Sequence, residues 1–188
     1  MVHHLIFEGA ELAGKSWVMS QIYHDLEPRA AASANVLDGC YWLNCDLGFF
    51  GTELAAPMVQ NYLEIFRTLH GKNLLIEKFS LSAQVYSELY GAGSIDRPAI
   101  EKELGKSGFR TILLTFPEDQ ALIQDRLDDR LRLYPDYRRI AKAPEFYIRQ
   151  QRLYLERAKD SFLDYLVLEV EKFPDERAVA QIKAWING

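Results

Sequence analysis

The sequence has 188 residues, of which 48% are hydrophobic, 12% aromatic and 26% charged, with two cysteines. This is the balance of one globular domain over residues 1–188, and it excludes collagen-like, disordered and disulfide-scaffold chains. Lys and Arg number 22 against 27 Asp and Glu, a net charge of −5 that argues against a sequence-independent grip on nucleic-acid backbone.

The chain opens Met1-Val2-His3-His4, without the basic-then-apolar build of a signal peptide, and no run approaches the roughly 18 apolar residues of a membrane span. A cytoplasmic protein with no membrane partner is expected. Leu5-Ile6-Phe7 reads as a short strand ending in Glu8-Gly9. His3 and His4 alternate across it with no acidic or Cys cluster at ligand spacing, so packing is expected of them and no metal. From Lys15 to about Leu26, Trp17, Val18, Ile22 and Leu26 mark a helix face, and Cys40 to Cys45 is a second strand. The odd offset of the two cysteines points them to opposite faces, which predicts reduced, structural thiols. A long helix follows from Thr52 to His70, closed by Gly71, then a buried strand over Asn73 to Glu77 and a helix from Ser80 to Tyr90.

After a break at Gly91 and Gly93 come a short helix around Pro98 to Leu104 and a strand from Thr111 to Phe116. Pro117 is expected to open a helix through Leu122, Ile123 and Leu127, from which a basic stretch runs to Lys142. A helix from Pro144 to about Ser161, a strand from Tyr165 to Val170 and a helix from Pro174 to Trp185 complete the order. Apolar strands alternating with helices predict an α/β fold, a five-stranded parallel sheet with helices on both faces. Ligands of such sheets bind beyond the carboxyl ends of the strands, here residues 8–16, 46–51, 77–82 and Phe116 onward.

The first of these ends carries the strongest signal. Gly9-Ala10-Glu11-Leu12-Ala13-Gly14-Lys15-Ser16 matches GxxxxGK[ST] between a predicted strand and a predicted helix. Its glycines let successive N–H groups and the helix N-terminus face phosphate oxygens; Lys15 then bridges the β and γ phosphates and Ser16 holds Mg²⁺. Glu77, closing the third strand, is the candidate second Mg²⁺ carboxylate. The chain has no NKxD or DxxG motif, which argues against a GTPase and leaves a small-molecule kinase using ATP and Mg²⁺ in front.

Phe7 to Ser16 resembles the FEGxDGxGKS/T opening of thymidylate kinases, with Glu11 in place of Asp and Leu12 in place of Gly. Glu77-Lys78-Phe79, followed by Ser82 and Tyr86, is similar to that family's DR[YF]xxSxxxY segment and also to the ERSxxSA segment of deoxynucleoside kinases. Phe116-Pro117-Glu118 with Arg126, Arg130 and Arg132 resembles the PE helix and arginine lid of both families, expected over roughly 128–144, and residues 147–170 resemble the helix and strand after it. The resemblance implies a P-loop NTPase fold and a homodimer through the long helices. It assigns Glu11 to the acceptor's sugar hydroxyl or neighbouring polar groups, Lys78 to phosphate charge and the lid arginines to the transferring phosphoryl group, with Arg132 on the donor. Two departures bear on the acceptor: Lys78 stands where both families keep Arg, and residues 46–53 lack the arginine and proline of the thymidylate kinase REPGGT loop.

A nucleoside monophosphate already presents an anionic oxygen, whereas a hydroxyl acceptor must lose a proton to a carboxylate, for which Asp46 and Glu11 are candidates. Phe49, Phe50 and Tyr86 are candidates to stack a planar base, and Phe79, Ser82 and Arg67 to contact the acceptor, with core packing or solvation as the alternative for each. The leading expectation is ATP-dependent phosphoryl transfer to a pyrimidine nucleotide. The alternatives are a deoxynucleoside or hydroxymethylated-base kinase and a nucleotide-binding switch without an acceptor.

Overall fold

The computed structural model describes residues 2–46 and 48–188. Five parallel strands, β1 (His4–Glu8), β2 (Cys40–Asn44), β3 (Asn73–Glu77), β4 (Phe109–Thr115) and β5 (Tyr165–Glu169), form one sheet in the order β2-β3-β1-β4-β5. Between and after them run α1 (Lys15–Ala30), α2 (Ala55–Thr68), α3 (Ser80–Tyr90), α4 (Arg97–Lys106), α5 (Gln120–Leu133), a short 3-10 turn at Pro135–Arg139, α6 (Pro144–Ala158) and α7 (Glu176–Asn187). This is the predicted α/β fold with the loop of residues 9–14 between β1 and α1, and the stretch for which a lid is expected carries Arg130, Arg132, Arg138 and Arg139.

Alternate residues of the central strands feed two cores. Leu5 and Phe7 of β1 pack with α1, α5, α6 and α7, while Ile6, Leu74 and Ile76 pack with α2 and α4. Cys40 and Cys45 fall into different cores, one on each face of the sheet, as their odd offset requires; both are free, and burial pushes the Cys40 thiol up to about 12. Only the central strands are sheathed on both sides: every residue of β1 and β3 is buried, whereas β2 and β5, each with a neighbour on one edge alone, bury only Cys40 and Leu168 and leave their other residues half-buried or exposed. His4 is a packing residue, its ring 4.8 Å from that of Phe109 and its nitrogens 2.7 Å from the Ser107 carbonyl and 2.9 Å from that of His70.

Helix boundaries differ from expectation where a side chain captures a turn. Pro117 does not open α5; Asp119 does, accepting from the Ala121 amide at 2.8 Å. Asp175 likewise caps α7 at Ala178, 3.0 Å away, leaving Pro174 outside. Thr52 folds its hydroxyl back onto the Phe49 carbonyl at 2.6 Å, so α2 begins only at Ala55. No helix among the described residues is long and apolar enough to cross a membrane.

Strand order reverses at β1, which lies between β3 and β4. The loop leaving β1 therefore sits over the crevice where parallel sheets bind ligands, flanked by the ends of β3 and, one strand further, β2.

Candidate active site

The loop over Gly9 to Ser16 closes around bare backbone. Gly9 has φ 133, and a Cβ there would stand 2.2 Å from the Leu114 carbonyl oxygen; Gly14 has φ 83 and is covered by the Phe173 ring. Leu12 has φ 66, a conformation that favours glycine, and a left-handed leucine costs about 1–2 kcal/mol. Arg126 donates to the Leu12 carbonyl at 2.9 Å and to those of Val170 and Glu171 at 2.6 and 2.9 Å, tying the loop to the end of β5. Its guanidinium, packed against Phe116 and Phe173, thus holds the loop rather than reaching over it.

Lys15 is buried at the N-terminus of α1, its ammonium donating to the Gly9 and Ala10 carbonyls, each at 2.8 Å. Burial, with Lys78 nearby, lowers it to about 8 against the pull of Glu77, Glu11 and Glu8. A phosphate at the loop would restore the charge, so nucleotide binding should take up a proton above pH 8. Affinity is expected to fall up to about tenfold per pH unit there. Calorimetry in two buffers of different ionisation enthalpy measures this, and an affinity level through that range would contradict it.

Ser16 Oγ donates to both Glu77 oxygens, at 3.0 and 3.3 Å. A hydroxyl and a carboxylate so paired fit Mg²⁺, which takes few protein oxygens and completes its shell with water and phosphate. Among the described residues no three His, Cys, Asp or Glu side chains cluster as a self-sufficient metal cage. Glu77→Gln, which keeps the hydrogen bond and removes the charge, should raise the Mg²⁺ needed for half-maximal turnover about tenfold. A titration like that of the native chain would return Glu77 to a purely structural role.

Across the crevice the chain gathers a polar cluster. Lys78, buried and left-handed at φ 58, pairs with Asp46 and donates to the Tyr86 hydroxyl at 3.1 Å. Glu11 accepts from Tyr86 at 2.8 Å and from Tyr137, and its amide donates to Gln150 Oε1 at 2.9 Å. Burial opposes ionisation of Glu11, but Lys78 and the two tyrosine hydroxyls outweigh it and hold the carboxyl below its ordinary range. Burial likewise works against the Lys78 charge, and Asp46 and Glu11 prevail, raising it.

Several expected contacts lie elsewhere. Arg67 is on the last turn of α2, at the end of the sheet remote from the loop, and its exposed guanidinium pairs with Glu64 and Glu103. Phe79 is fully buried among Tyr62 and Phe66, and Ser82 is fully buried and donates to Glu8. Phe49 and Phe50 interlock edge to face at 4.8 Å, forming a wall of the core behind Tyr86. Arg132 is exposed and bound to Asp129 at 2.9 Å. Arg130 is exposed, its guanidinium 4.9 Å over the Tyr137 ring and 5.5 Å over that of Tyr134, with no carboxylate partner among the described residues.

Two members of the cluster escaped sequence reasoning. Tyr137 was hidden in a stretch read only for its arginines. Gln150 is fully buried with its Nε2 unpartnered among the described residues. The signal was present as a polar stripe at helical spacing, Tyr147, Gln150, Gln151 and Tyr154, all on the buried face of α6.

No protein-family model matches the chain, and no curated protein matches it by sequence. Solved structures do share its fold. The Bacillus subtilis YorR protein, in complex with phosphorylated GDP, superposes with a TM-score of 0.68 at 17% identity, over 97% of this chain and 95% of that one. Thymidylate kinase from Ehrlichia chaffeensis gives 0.58 at 13% identity, covering 99% and 98%, and shikimate kinase from Bacteroides thetaiotaomicron 0.56 at 13%, covering 99% of both.

Proposed function

We propose that this chain is a Mg²⁺- and ATP-dependent phosphotransferase acting on the hydroxyl of a nucleoside-class acceptor. The carrying observation is the acceptor cluster: two carboxylates, Asp46 and Glu11, surround one ammonium, Lys78, so these three groups carry one carboxylate more than they have ammonium to balance it. A monophosphate acceptor would bring further negative charge against it, whereas a neutral hydroxyl needs what the cluster offers, a carboxylate to take its proton.

In this reading the loop amides and Lys15 hold the donor phosphates, and Arg130 meets the charge of the transferring group. Ser16 and Glu77 hold the metal, which supplies charge neutralisation on the β and γ phosphates. Asp46 accepts the proton of the attacking hydroxyl, Lys78 orients Asp46, and Glu11 with Tyr86 fixes the acceptor's sugar. The phosphotransferase reading draws support from the fold shared with two structures named as kinases and one holding a phosphorylated guanine nucleotide.

A pyrimidine monophosphate acceptor is the second reading. The thymidylate kinase-like loop favours it, as do Arg130, Arg138 and Arg139 of the lid, which have no carboxylate partners among the described residues. ADP formation from ATP and Mg²⁺ against a panel of deoxynucleosides, their monophosphates and hydroxymethylated analogues, with products identified by mass, separates the two. Stimulation by a nucleoside carries the proposal; stimulation by a monophosphate alone replaces it with the second reading. Nucleotide binding without turnover on any member would leave a switch.

A further inference from the structure

Glu8 ends β1 immediately before Gly9 and is 1% exposed, and of the residues expected to contact the acceptor it meets Phe79 and Ser82, both turned into the core. Its side chain crosses to the turn after β3. There Oε1 accepts from the amides of Phe79, Leu81 and Ser82 at 3.0, 3.1 and 3.3 Å, while Oε2 accepts from the Ser82 hydroxyl, itself 2.8 Å from that of Tyr154. Helix α3 has no side-chain cap of its own and no acidic residue in its first turn, so a carboxylate from another strand satisfies its open amides and faces its dipole.

The turn so held is the one that aims the chemistry. Its first residue is Glu77, which meets Ser16; its second is Lys78, in the left-handed conformation a lysine adopts only when its surroundings impose it. Lys78 is gripped from both sides, its own amide donating to the Phe7 carbonyl at 3.0 Å and the amides of Phe79, Leu81 and Ser82 facing Glu8. We infer that Glu8 is a positioning residue: by clamping the start of α3 it sets the left-handed turn at Lys78, and through Lys78 the placement of Asp46. The inference rests on the phosphotransferase reading for its catalytic consequence, and on geometry alone for the clamp.

Reach, not charge, is what the clamp requires, and two variants separate them. Glu8→Gln keeps an oxygen at the position of Oε1 and its amide can donate to Ser82, whose hydroxyl then turns to Tyr154. Glu8→Asp keeps the charge but falls one methylene short. Expected for Glu8→Asp are about tenfold faster exchange of the Phe79, Leu81 and Ser82 amides and an acceptor kcat/KM lowered about tenfold. Nucleotide affinity should stay within about twofold, and Glu8→Gln should lie near the native chain in every readout. The reverse order of the two variants, or equal loss of nucleotide affinity and acceptor kcat/KM, overturns the inference. If the native chain transfers no phosphoryl group, it is the phosphotransferase reading that fails, and the amide exchange still decides the clamp.

Discussion

Lys15→Met is expected to lower phosphoryl transfer about 10²–10³-fold while the chain remains folded, the scale seen when one preorganised charge donor is removed from a site that develops negative charge. The ammonium is already desolvated and held by the Gly9 and Ala10 carbonyls, so it need not reorganise to meet a phosphate at the loop. Methionine keeps most of the apolar stem within the buried space and removes a charge that burial disfavours, so the melting temperature should hold or rise. Turnover and a thermal melt on one preparation check both halves. Native turnover in Lys15→Met would remove the loop from the chemistry altogether.

Asp46→Asn carries the second large effect and discriminates between acceptors. With a hydroxyl acceptor the variant loses its base, and kcat should fall about 10²–10⁴-fold. A monophosphate acceptor has no proton to surrender, so its rate should change far less. Because Asp46 also pairs with the buried Lys78, the substitution leaves an ammonium with less compensation, and some loss of stability accompanies it. Equal losses on both acceptors would make Asp46 an orienting group and return the proton transfer to another carboxylate.

Much of this site could be read along the chain because its parts are local. The loop from Gly9 to Ser16 announces itself by residue type, and its place between a strand and a helix follows from apolar spacing on either side. The strand Asn73–Glu77 and helix Ser80–Tyr90 lie where period and turn residues predict them. Glu77 was legible as the carboxylate that closes an apolar strand for the same reason, and its pairing with Ser16 keeps it the candidate for the metal.

What could not be read is who faces whom. Lys78 meets Asp46 across 32 residues, Tyr137 meets Glu11 across 126, and Arg126 spends its guanidinium on the carbonyls of a distant strand end. Local pattern assigned that arginine to phosphate and Ser82 to substrate because it supplies residue types without partners. Amino-acid sequence by itself determined the strand and helix periods, the phosphate loop and the class of fold, since these depend on neighbours within a few residues and on the alternation of apolar side chains. The tertiary structure alone decided which carboxylate the lysine holds, which carbonyls Arg126 is spent on and which glutamate clamps α3, because those pairings exist only once β3 and β4 flank β1 and bring remote strand ends into one crevice.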